Sequence, residues 1–139
     1  MKGVYTLILF LKKEKKVYKW SLRPGYYYYT GSALNNLEAR VKRHFRREKR
    51  RKWHIDYLTT DNDVELIGAV CAETNVKMEC KVNQAISKLG EVVVGFGSSD
   101  CKLKCKGHLF RTEELKRSEI LKEYRKLGLN PYVMDQSSI

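Results

Sequence analysis

Arg40 and His44 stand four residues apart, shortly after the segment Tyr29-Thr30-Gly31, so on a helix both would project from one face. A guanidinium can grip a phosphate, an imidazole can accept a proton near neutrality, and a phenol can orient or deprotonate a water. The same stretch runs into a cationic tract: from Arg40 to Lys52 nine residues are Lys or Arg, against the single acid Glu48. Lys42, Arg43, Arg46, Arg47, Lys49, Arg50, Arg51 and Lys52 are therefore candidate contacts for a polyanion, nucleic acid first among them.

Composition agrees with that direction. The chain has 139 residues, a net charge of +12 and a pI near 9.6, which favours polyanions, although such a surface also binds anionic membranes or acidic proteins. One core and one domain over residues 1–134 are expected, with 135–139 a disordered tail. The apolar run near the N-terminus breaks at Lys12-Lys13, too early to span a membrane, and lacks a signal-peptide cleavage site. A cytoplasmic protein with reduced cysteines is the expectation, with no membrane partner.

Several elements must position these groups. Residues 3–11, β-branched and aromatic, read as a strand, and residues 17–22 as its hairpin partner across a Lys-rich turn. Pro24-Gly25 precedes a third strand at 26–29 that ends at Gly31-Ser32. Asn35 or Asn36 should cap a helix with the stripe Leu37, Val41 and Phe45, ending near Trp53. A buried strand at 64–71, a helix at 77–89 closed by Gly90, and a strand at 92–96 follow. After a loop over 97–107 the chain extends at 108–110, and Thr112 should cap a terminal helix with Leu115, Ile120, Tyr124 and Leu127. Strand alternation allows Tyr5 and Tyr29 to face each other.

Taken in order, Gly3-Val4-Tyr5, Tyr29-Thr30-Gly31, Arg40 with His44, and Glu79 on a later helix resemble the signature of the GIY-YIG nuclease family. WHIDYL (53–58), FGSSDC (96–101) and GHLF (107–110) are similar to a prokaryotic branch of it. The resemblance implies an α/β (α+β) fold, a small three-stranded antiparallel sheet flanked by helices, here with an extra strand, a loop and a C-terminal helix. It also implies a metal-dependent endonuclease acting on DNA in repair, recombination or defence, RNA being the other candidate. In that pattern Tyr5 is the base or water-positioning group, aided by Tyr29, with His44 the rival base. Arg40 contacts the phosphate, and Glu79 holds one Mg²⁺ or Mn²⁺. The asparagine usual beyond the glutamate helix has no clear match; Asn83, Ser98, Ser99 and Asp100 are the substitutes to consider.

Plainer readings stand beside these. Tyrosines suit pleated sheets, and Glu79 could pair with Lys77 or Lys81. Cys101, Cys105 and His108, with Cys80 or Cys71, offer the ligand types of zinc, yet Cys-x3-Cys-x2-His is no familiar knuckle. Buried thiols are the expectation, with zinc or a disulfide the alternative. His54 and Asp56 are read as orienting the end of the basic helix. Two other functions remain: a non-catalytic nucleic-acid-binding module, and a zinc-stapled adaptor.

Overall fold

The computed structural model describes residues 1–97 and 105–138. Ser98, Ser99, Asp100 and Cys101 lie outside the described residues. Strand β1 (Gly3–Leu11) is buried along nearly its whole length, which marks it as central to a sheet covered on both faces. It pairs antiparallel with β4 (Gly25–Ala33) on one side and β5 (Val64–Glu73) on the other. The sheet is larger than the three strands expected from the sequence. Added to that central trio are β6 (Glu91–Val92), β7 (Leu109–Thr112) and β8 (Tyr132–Met134), in the order β6-β7-β4-β1-β5-β8. The additions are strands of two to four residues, too short to announce themselves by alternation.

Alternation along β1 divides the interior. Tyr5, Leu7, Leu9 and Leu11 enter one cluster with Leu37, Val41 and Phe45 of α1 (Leu37–Phe45) and Leu58 of the short α2 (Asp56–Thr59). Val4 and Ile8 enter the other, with Val82 and Ile86 of α3 (Glu79–Ile86) and Ile120 and Tyr124 of α4 (Arg117–Lys126). The result is a mixed α and β fold with helices on both faces of an antiparallel sheet.

Several expectations need correction. The segment expected to pair with β1 instead folds on itself as a separate two-stranded sheet, β2 (Lys15–Val17) with β3 (Trp20–Leu22). Tyr18 turns that hairpin at φ 54°, and both edges of β1 are taken by longer strands. Helix α1 stops at Phe45 rather than near Trp53. Arg46 is already extended, and the Lys49 ammonium donates to the carbonyls of Arg43 and His44 at 2.9 Å each, closing the helix end. Asn36 does cap its start, accepting from the Ala39 N–H. The strand expected at 92–96 ends at Val92, where the chain turns. Thr112 caps nothing; it ends β7 and bonds the Tyr28 hydroxyl, while α4 begins at Arg117 and leaves Leu115 exposed. Residues 136–138, expected in a disordered tail, form one 3-10 turn behind β8.

Among the described residues no helix is long and apolar enough to cross a membrane.

Candidate active site

Strand β7 pairs with β4 from Tyr26 to Tyr29, and the Thr30 N–H still donates to the His108 carbonyl at 3.1 Å; beyond Thr30, among the described residues, β4 has β1 on one side and an open edge on the other. Side chains from both faces of the sheet can meet around such an edge. A cleft of about 660 Å³ lies there, lined by Tyr5, Tyr29, Gly31 and Ser32 from the sheet, Arg40 from α1, and Glu79, Cys80 and Lys81 from α3. Leu34, Lys52, Trp53, His54, Lys77 and Gly97 complete its lining.

The two glycines of the tripeptides owe their identity to close approach. Gly31 is the register partner of Tyr5, and a Cβ on it would stand 2.6 Å from the phenol oxygen. A Cβ on Gly3 would meet the Ala72 carbonyl at 2.5 Å and the Leu37 side chain. Removing side chains at these points lets Tyr5 lie flat against the strand and α1 seat on the sheet.

Tyr5 and His44 are bonded, phenol oxygen to Nε2, at 2.8 Å and out of contact with bulk water. Burial pushes the Tyr5 phenol well above its usual range, and the nearby Arg40 guanidinium only partly opposes that. Burial likewise raises Tyr29, reinforced by Tyr5 and Glu79. His44 moves the other way, to about 3, because burial and then the Lys49 charge disfavour the imidazolium. Its Nδ1 has no hydrogen-bond partner among the described residues.

Arg40 reaches around the open edge, donating to the Ser32 carbonyl at 3.1 Å, and its guanidinium lies 4.8 Å from the centre of the Trp53 ring. Glu79 opens α3. One carboxylate oxygen accepts from the Ser32 hydroxyl at 2.7 Å; the other lies 3.2 Å from His108 Nδ1. Burial works against its charge, but the bonds from His108 and Ser32 more than offset this and hold it below the usual range. Glu79 is therefore an anion, held by His108 and Ser32 rather than by an ion pair with Lys77 or Lys81.

The basic tract divides in two. Arg43 makes two bonds to the fully buried Asp56 carboxylate at 3.0 Å each, and Asp56 also accepts from the backbone N–H groups of Lys52 and Trp53. Arg47 donates to the carbonyls of Val64 and Asp61, and Lys49 closes α1 as above. These three hold the chain together. Lys42, Arg46, Arg50, Arg51 and Lys52 are exposed, with Arg51 lying over the Tyr57 ring.

Asn83 ties α3 to the approach of β7, its amide donating to the Gly107 carbonyl at 2.8 Å, and does not line the cleft. Cys80, Cys105 and His108 bring one ligand atom each within 4.8 Å of the others. Cys71 is elsewhere, buried in the core beside Tyr5 and Leu37.

Ser32 and His108 as partners of Glu79, and Trp53 as the ring under Arg40, went unseen in the sequence. Only Ser32 left a trace, since alternation puts it on the opposite face from Gly31 at the end of a strand already singled out.

A sequence model of the family described as "Domain of unknown function DUF123" matches residues 4–129. The chain belongs to this DUF123 family. No curated protein and no solved structure matches it. The DUF123 match takes in every residue that lines the cleft, together with Cys105 and His108, and stops short of β8.

Proposed function

We propose that this protein is a divalent-metal-dependent endonuclease that hydrolyses DNA phosphodiester bonds in the cytoplasm, in repair, recombination or defence. One observation carries the reading: two phenols, a guanidinium and an ionised carboxylate, drawn from both faces of the sheet, converge on one cleft at the open end of β4. The GIY-YIG resemblance supports the same assignment, and the exposed cations beside the cleft suit the backbone of a nucleic acid.

Arg40 sits where it can bind the scissile phosphate and offset the charge that builds on its oxygens. Tyr5 and His44 act as a relay rather than as rivals. Burial disfavours a standing phenolate on Tyr5, so the phenol oxygen takes a proton from the attacking water as its own proton passes to His44 Nε2. Burial first, and the Lys49, Arg43 and Arg40 charges after it, make His44 a weak base; a phosphate anion beside Arg40 counters those charges and raises its basicity. Tyr29 helps position the water. Glu79 would hold Mg²⁺ or Mn²⁺ through its hard anionic oxygen, and the bound ion would supply charge neutralisation at the leaving oxygen.

A second reading, a binding module that does not cut, draws on the two Glu79 oxygens being engaged by Ser32 and His108. Purified protein incubated with plasmid, branched and single-stranded DNA in Mg²⁺ or Mn²⁺ separates the two. The nuclease nicks DNA, and Arg40→Ala or Tyr5→Phe abolishes cutting while leaving binding. Salt-sensitive binding without cleavage in any metal selects the module.

A further inference from the structure

A cluster of three metal-ligating side chains lies beside the carboxylate, and what it implies stands independently of the nuclease reading. His108 is buried, and its Nδ1 lies 3.2 Å from both the Thr30 carbonyl and a Glu79 carboxylate oxygen. Both neighbours only accept, so Nδ1 carries the proton. In the neutral imidazole the lone pair is then on Nε2, which faces Cys80 Sγ at 3.8 Å. Cys105 Sγ joins the group, with all three ligand atoms within 4.8 Å of one another. Tetrahedral zinc, with roughly 2.3 Å to sulfur and roughly 2.1 Å to nitrogen, sets those atoms about 3.6 Å apart. The observed spacing needs only a small contraction around an ion. Cys80 lines the cleft, so a cation has a path from solvent.

We propose that Cys80, Cys105 and His108 bind a zinc ion, with Glu79 as the outer carboxylate that fixes the His108 tautomer. Two thiolates and a neutral imidazole are the soft donors zinc prefers, and a carboxylate on the far nitrogen of a ligating histidine orients the ring and strengthens it as a donor. The site spans two parts of the fold, α3 and the approach to β7, so the ion would clamp the turn that carries Glu79.

The test uses the full chain and needs no DNA. Protein purified under reducing conditions should carry one zinc by elemental analysis, and cobalt exchanged into it should give a thiolate charge-transfer band. Cys80→Ser and Cys105→Ser should lose the metal and the band; the cobalt titration of the unaltered protein keeps the question answerable if either variant fails to fold. Glu79→Ala should weaken zinc about 10-fold in competition with a chelator, the low end of such outer-carboxylate effects because Thr30 still holds Nδ1. Absence of zinc and of a cobalt band overturns the site, whether the thiols prove merely hydrogen-bonded or oxidised. Zinc that survives both serine variants, or a zinc affinity indifferent to Glu79→Ala, overturns it equally. Arg40→Ala touches none of these groups, so zinc loss and loss of cleavage are read separately.

Discussion

Gly31→Ala is the sharpest test of how the cleft is built. The new methyl would stand 2.6 Å from the Tyr5 oxygen and 2.8 Å from Cζ, while ordinary contact begins near 3.4 Å, so the ring must retreat by about 0.8 Å. Tyr5 is buried and bonded to His44, so there is little room to retreat. Overpacking of this kind costs about 1–3 kcal/mol, and weakening the buried bond adds about 1 kcal/mol. Urea unfolding followed by tryptophan fluorescence should therefore show a loss of about 2–4 kcal/mol. Part of that loss belongs to one oxygen atom. In a Tyr5→Phe background the 2.6 Å contact is gone, and Gly31→Ala should cost at least about 1 kcal/mol less there. Cleavage should fall by about 100-fold, the usual penalty for an ångström of misplacement, with DNA affinity unchanged. Effects of the two substitutions that add to within about 0.3–0.5 kcal/mol would refute the idea that Gly31 exists to admit the phenol.

Asp56→Ala, which strands the Arg43 guanidinium and two backbone N–H groups, should cost about 3–5 kcal/mol in denaturant, and Arg43→Met added to it should recover part of that loss. Below about pH 6.5 the imidazole at position 44 takes up a proton in the unfolded chain but not in the folded one until about pH 3, so stability should fall with acidification by up to about 1.4 kcal/mol per pH unit, and His44→Asn should flatten that slope. Removing Arg50 or Arg51 should lower the dependence of DNA affinity on log salt by about 0.9 each, whereas Arg47→Ala, whose donors serve Val64 and Asp61, should lower stability rather than that slope.

Long regular elements were legible in the sequence because their pattern was long. Residues 3–11 are β-branched, aromatic or leucine at every position after Gly3, and Leu37, Val41 and Phe45 mark one helical face, so β1 and the start of α1 emerge directly. The end of α1 did not, because the cations after Phe45 suit a helix as well as a loop, and only the Lys49 ammonium folding back on two carbonyls decides between them. Strands β6 and β8, two and three residues long, exist only because a neighbour offers them an edge. At the cleft, Tyr5, Tyr29, Arg40 and Glu79 are picked out as a set by the family resemblance, Glu79 by that alone, and all four line it. Their bonding could not be foreseen. His44, expected as the rival base, is buried against a phenol, and His108, distant in sequence, becomes the partner of Glu79 through the pairing of β7 with β4.

That convergence at the end of β4 also sets when the site can exist. Its groups come from Tyr5, from α1, from α3 and, through Glu79, from His108, so no fragment that stops before position 108 holds a complete set. Loop-closure entropy makes contacts of such sequence separation late and slow to form. During synthesis the Glu79 carboxylate lacks its imidazole partner until position 108 has been made, and the cleft is therefore finished only after that point.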